Sequence, residues 1–203
     1  MRAIRSAVAG VLLGAVALGA AAPALAQYSK AYEFLTAVRE RDGAAVTDAL
    51  NEPGSQMANT RDLDSGDTAL HIVVEGRDAA WTRFLLLRGV NPNIANKKGV
   101  TPLQLAARIG FTEAVGDLVK HGARLDVGDS TGETALMSAV HRRDLATMRV
   151  LLEAGADPDR SDNSGRTARD YAGLQPASTG ALATIEDKAR AQTGATQVYG
   201  PSF

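Results

Sequence analysis

Through the middle of the chain, apolar residues fall in short blocks at helical spacing, fenced by glycine, asparagine, aspartate and serine. In "TPLQLAARIG", Leu103, Ala106 and Ala107 make one apolar stripe. The blocks recur. Gly66, Gly99, Gly132 and Gly165 stand 33 residues apart, each followed two places on by Thr68, Thr101, Thr134 or Thr167. Leu70, Leu103 and Leu136 hold the same period, which Arg169 breaks, and so do Leu85, Leu118 and Leu151 and then Gly89, Gly122 and Gly155. A period of this length marks a supersecondary unit that buries its apolar face only by stacking on its neighbours.

Each unit predicts two helices and a polar turn. The threonine suits an N-cap, because its hydroxyl accepts from free backbone N–H groups of the first turn. Pro102 follows at the first helical position, where a missing N–H costs little. Tight turns at Arg77-Asp78, Gly110-Phe111 and Arg143-Asp144 lead into a second helix, "AAWTRFLLLRG", "TEAVGDLVKHG" or "LATMRVLLEAG". Its closing glycine is the left-handed residue expected just past a helix end. The segments "NPNIANKKG", "RLDVGDSTG" and "DPDRSDNSG" then read as turns that lead to the next unit.

These motifs resemble the ankyrin repeat. "DTALHIVVEGRD", "VTPLQLAARIGF" and "ETALMSAVHRRD" are similar to the family's T-P-L-H-x-A-A segment, and "GADPD" to its turn. Gln104 and Met137 replace the histidine that His71 supplies, and Arg77 and Arg143 stand where the family often has the glycine kept at Gly110. The resemblance implies an all-α ankyrin-repeat solenoid: an N-terminal capping helix pair over 27–63, three full repeats over 64–163, a C-terminal capping repeat over 164–191, and a flexible tail over 192–203. In the first cap, Phe34, Ala37 and Val38 fit one helix and Val46, Ala49 and Leu50 the next. Polar outer faces suit both caps, because nothing stacks on them.

Charge and composition remove other classes. The 203 residues carry a formal net charge of −1 and no cysteine, which excludes a disulfide framework and argues against nucleic acid as a partner. At the N-terminus, Arg2 and Arg5 precede the uncharged stretch 7–22, and Ala24-Leu25-Ala26 has the small-x-small pattern of a signal-peptidase site. We therefore expect a signal peptide over 1–26, cleavage after Ala26, a periplasmic or secreted product, and no stable membrane insertion afterwards. The alternative is an uncleaved anchor, against which Gly10, Gly14, Gly19 and Pro23 count.

The stretch "GETALMSAVHRRD" places a carboxylate, hydroxyls and an imidazole within a few residues, yet the period absorbs most of them. Thr134 becomes a cap, Leu136 and Ala139 become core, and Ser138 falls in register with Ile72 and Leu105. No P-loop, nucleophile elbow or dinucleotide glycine pattern occurs, and His71, His121 and His141 lack metal spacing. The expectation is no catalytic, cofactor-binding or metal site and no cofactor. By the resemblance, His71 ties adjacent loops together, and Asp157 and Asp159 serve a turn. Trp81 is expected in the core, the alternative being an exposed anchor for a partner. Arg39, Arg41, Arg77, Arg108, Arg142 and Arg143 end successive first helices and are expected to form a basic ladder, suited to carboxylates or phosphates.

The resemblance implies a non-catalytic module, a monomer, that binds a protein partner through a rigid concave face. The expected contact residues are Ser65, Asp67, Glu75, Lys97, Lys98, Val100, Arg108, Ile109, Ser130, Glu133, His141 and Arg142. The other function it suggests is regulation of an enzyme outside the cytoplasm, such as an oxidative-stress enzyme.

Overall fold

A computed structural model describes the backbone of residues 21–196 and the side chains of residues 30–188. Among the described residues, ten α-helices follow in pairs: α1 (Ala21–Glu40) and α2 (Gly43–Asn51), α3 (Ala69–Glu75) and α4 (Ala79–Leu87), α5 (Pro102–Ile109) and α6 (Thr112–Lys120), α7 (Ala135–His141) and α8 (Leu145–Glu153), α9 (Ala168–Gly173) and α10 (Ala181–Thr196). Within the described residues, the extended pairings are isolated bridges, Arg61 with Thr68 and Ser161 with Thr167. The expected cleavage point lies within α1, and residues 1–20 of the expected signal segment lie outside the described residues. At the other end, α10 runs to Thr196, so the first residues of the expected tail are helical; residues 197–203 lie outside the described ones.

The helices stack in two layers. In one, α1, α3, α5, α7 and α9 touch in chain order; in the other, α4, α6, α8 and α10 do. This packing uses the periodic apolar residues. Leu70, Leu103, Leu136, Leu85, Leu118 and Leu151 are all buried, and Ala106, Ala107 and Ala139 let the first-layer helices approach closely. Phe34, Leu35, Val38 and Val46 close one end of the core, and Ala181 and Ile185 close the other. Trp81 is half-buried, with its ring edge-on to Phe84 at 5.0 Å and the Arg41 guanidinium 5.5 Å above it.

Capping follows the threonines. The hydroxyls of Thr101, Thr134 and Thr167 accept from the backbone N–H groups of Gln104, Met137 and Asp170 at 3.1–3.3 Å. Asp42, Asp78 and Asp144 cap α2, α4 and α8 through their carboxylates. Between the pairs the chain forms hairpin fingers, each closed by backbone bonds: Asp62 with Asp67, Asn96 with Val100, Asp129 with Glu133, and Asp162 with Arg166. Fingers stack on one another. Lys97 N–H donates to the Ser65 carbonyl, and Asn163 N–H donates to that of Thr131, both at 3.0 Å. Glycine makes this approach possible. At Gly132 (φ +82°), a Cβ would lie 2.7 Å from the Asn163 nitrogen.

Candidate protein-binding surface

The fingers fold against the first-layer helices, and side chains tie the two together. Arg39 of α1 pairs with Asp62 at 2.8 Å, Arg108 of α5 with Asp129 at 2.9 Å, and Tyr171 of α9 donates to Asp162 at 2.6 Å. Fingers and first-layer helices therefore share one continuous face.

Beneath it runs a row of interior bonds that hold repeat to repeat. The His71 Nδ1 accepts from Thr68 N–H at 3.1 Å, which leaves Nε2 to donate to the Val100 carbonyl at 2.9 Å. Burial pushes the His71 pKa down, in keeping with a neutral ring. Gln104 does the same work one repeat on: its oxygen accepts from Thr101 N–H, and its amide donates to the carbonyls of Val127 and Glu133 at 2.9 and 2.7 Å. The replacement of histidine by glutamine therefore keeps the tie. Met137 does not: it offers only its sulfur to Thr134 N–H, at 3.5 Å, and has no donor for the next finger.

Over the third repeat, polar chemistry appears on the face itself. Glu133 Oε1 accepts from the Ser138 hydroxyl at 2.7 Å and lies 3.3 Å from His141 Nδ1. The His141 ring meets Tyr171 edge-on at 4.5 Å, which links the third repeat to the C-terminal cap. Ser130, Thr131, Asn163 and Ser164 complete the walls of an open cleft of about 530 Å³ between the third and fourth fingers. Asp162 faces it as a carboxylate: hydrogen bonds from Tyr171 and Ser164 hold its pKa well below the usual range. In Asp129, burial opposes the charge, but hydrogen bonds from Thr131, Glu133 N–H and Arg108 outweigh it, so that pKa is lowered too.

The expected contact residues are not equally placed. Ser130, Glu133 and His141 converge on the cleft. Ser65, Glu75, Lys97 and Lys98 are exposed along the fingers and at the end of α3, while Asp67 is half-buried and accepts from Asn96 at 2.9 Å. Two expectations need correction. Val100 is only 3% exposed: its side chain turns inward at the base of its finger, so it offers no contact surface. Ile109 is half-buried against the core and presents only part of its side chain.

The basic ladder is corrected as well. Asp62, Asp78 and Asp129 neutralise Arg39, Arg41 and Arg108. Arg77, Arg142 and Arg143 form no ion pair among the described residues. Sequence reasoning missed Tyr171 and Asp162. A signal was present, since Tyr171 shares the 33-residue register with Ile72, Leu105 and Ser138.

Among the described residues, no group of three or more His, Asp or Glu is placed to hold a metal ion, and no helix is long and apolar enough to cross a membrane.

Comparison with known proteins agrees with this architecture. The family model described as ankyrin repeats (3 copies) matches residues 34–127 and 78–162. The human transient receptor potential cation channel subfamily A member 1 is 34% identical over 104 residues, which is 50% of this chain and 9% of that protein. Human SH3 and multiple ankyrin repeat domains protein 2 is 40% identical over 85 residues, 41% of this chain and 5% of that protein. The E3 ubiquitin-protein ligase KEG of Arabidopsis thaliana is 29% identical over 138 residues, 65% of this chain and 8% of that protein. The chain thus spans less than a tenth of the length of these relatives. Ankyrin repeats are in general non-catalytic and bind proteins. The chain belongs to the ankyrin-repeat family, as an all-α repeat solenoid of the kind that serves protein–protein interaction.

Proposed function

We propose that this chain is an exported, non-catalytic adaptor that holds a protein partner against the fingers and first-layer helices of its third repeat and C-terminal cap. The observation that carries the reading is the cleft where Glu133, His141 and Tyr171 meet. It combines an open floor, aromatic edges and fixed polar groups on a scaffold that is tied together elsewhere. A preorganised surface loses little entropy on binding. Export rests on the pattern of residues 1–26 and places the partner in the periplasm or outside the cell.

The test is site-specific photo-crosslinking in intact cells. A photoreactive residue at His141 is expected to capture one protein, and the same residue at Arg149, exposed on second-layer helix α8, is expected not to. Glu133→Lys should abolish capture while the chain stays folded, with stability lowered by about 1 kcal/mol because the buried Ser138 hydroxyl loses its acceptor. Equal capture from Arg149, or capture that survives Glu133→Lys, overturns the reading. If the captured protein is an enzyme whose turnover changes when the purified chain is added, the adaptor is a regulator. Fractionation of the same cells tests export.

A further inference from the structure

Three of the arginines that end the first-layer helices are neutralised by an aspartate of the chain, and two of the remaining three meet at one point. Arg77 donates from Nη1 to the Ile109 carbonyl at 2.7 Å and from Nη2 to the Gly110 carbonyl at 3.1 Å, and its guanidinium lies 5.3 Å from the centre of the Phe111 ring. Arg142 reaches Gly110 from the opposite repeat. A Cβ on Gly110 would lie 2.7 Å from its Nη2 and 2.9 Å from its Nε. Arg142 thus lies in the space that the glycine leaves empty. At this register Arg41, Arg77 and Arg143 share the left-handed backbone of Gly110 (φ 52–67°) but carry a side chain there. Both converging arginines are exposed.

Among the described residues, no acid pairs with Arg77 or Arg142. Asp78 binds Arg41 and caps α4, Asp144 is held by Thr147, and Glu113 pairs with Arg83. Glu75 is exposed and forms no ion pair among the described residues.

Like charges brought together without an ion-pair partner are unfavourable, and an anion placed between them reverses the sign. Arginine supplies planar donors suited to an oxyanion, and one held against the backbone loses less freedom when it binds. We infer that Arg77 and Arg142, brought together over Gly110, form a two-arginine receptor for the side-chain carboxylates of an acidic segment in a protein partner. The inference deepens the protein-binding reading by naming what the partner presents at this place. Its test does not need the partner.

The probe is a fluorescein-labelled peptide of glutamates and serines with blocked ends, titrated with the full chain and followed by anisotropy. Arg142→Gln breaks no side-chain hydrogen bond among the described residues, and it should weaken binding about tenfold. Gly110→Asn keeps both arginines but fills the space under Arg142; asparagine tolerates the left-handed backbone, and binding should fall comparably. Arg108→Gln, whose guanidinium already serves Asp129, should change little. Thermal melts accompany each variant. Peptide binding unaffected by Arg142→Gln, or weakened equally by Arg108→Gln, overturns the inference. So does a site that takes inorganic phosphate but not the peptide.

Discussion

The second and third repeats share a backbone and differ in where they keep their hydrogen bonds. In the second, the interior position is Gln104, which joins two carbonyls and an N–H, while the finger base and the helix face above it are apolar, with Val100 buried and Leu105 half-buried. In the third, the interior position is Met137, fully buried and without a donor, and the two face positions become Glu133 and Ser138, bonded to each other, with Glu133 also meeting His141. One unit spends its polar groups between repeats, where they hold the stack together. The other moves them toward the surface, where Ser138 stays buried beneath Glu133 and a partner can reach Glu133 and His141. The scaffold tolerates the exchange because apolar stacking of leucine and alanine supplies the core in both.

The largest effect is expected from giving the second repeat the interior of the third. Gln104→Met leaves the part-buried Val127 carbonyl without its amide donor, takes one of two donors from the Glu133 carbonyl, which keeps Asp129 N–H, and offers the buried Thr101 N–H only a sulfur. The cost is expected at about 2–3 kcal/mol, read as a lowered urea midpoint. A loss no larger than that of an exposed substitution would mean that stacking alone holds the junction.

His71 makes the same tie in the first repeat with a group that titrates. Its folded pKa lies below the unfolded value of about 6.5, so the stability it gives is complete above that pH and is lost as pH falls from there through the folded pKa. For one proton, the slope cannot exceed about 1.4 kcal/mol per pH unit. His71→Gln, which imports the group used at Gln104, should flatten the stability profile between about pH 7 and pH 5. The lowered carboxylates Asp62, Asp129 and Asp162 act below about pH 4, outside that window. An unchanged profile would show that His71 is not the titrating group.

The repeat was legible because one period of 33 fixes caps, turns and core together: Thr101, Leu103 and Gly99 each have one place in the unit. The surface was less legible, because exposure depends on partners that the period does not mark. Val100 shares a register with Asp67 and Glu133, which are half-buried, and only its own apolar chemistry reveals that it turns inward. The pairing of Arg108 with Asp129 joins a helix to the following finger, and nothing local announces it. Gln104 read as a departure from histidine, although both groups combine an acceptor with a donor at the same reach.

A smaller effect of opposite sign is expected from restoring the tie to the third repeat. Met137→Gln is close to isosteric and places an amide where Gln104 has one. Its donor can reach the fourth finger, and its oxygen can reach Thr134 N–H. Stability should rise by about 1 kcal/mol, with slower amide exchange in α9. A fall instead would show that the Met137 site holds no room for a paired amide, and that the two interiors are not interchangeable.

The smallest change in stability, and the sharpest in function, is expected from exchanging the faces. Glu133→Val with Ser138→Leu gives the third repeat the face of the second. Removing both members of a hydrogen-bonded pair costs far less than removing one, because no buried group is left unpartnered, so stability should stay within about 0.5 kcal/mol of the original chain. The backbone carbonyl of residue 133 still receives Gln104, since that bond does not use the side chain. His141 loses its carboxylate, and the cleft loses its polar floor. Crosslinking from position 141 should therefore disappear while the melting curve stays in place, which separates what holds the solenoid together from what it presents. If capture persists on this apolar face, the partner reads shape rather than the Glu133–Ser138–His141 network.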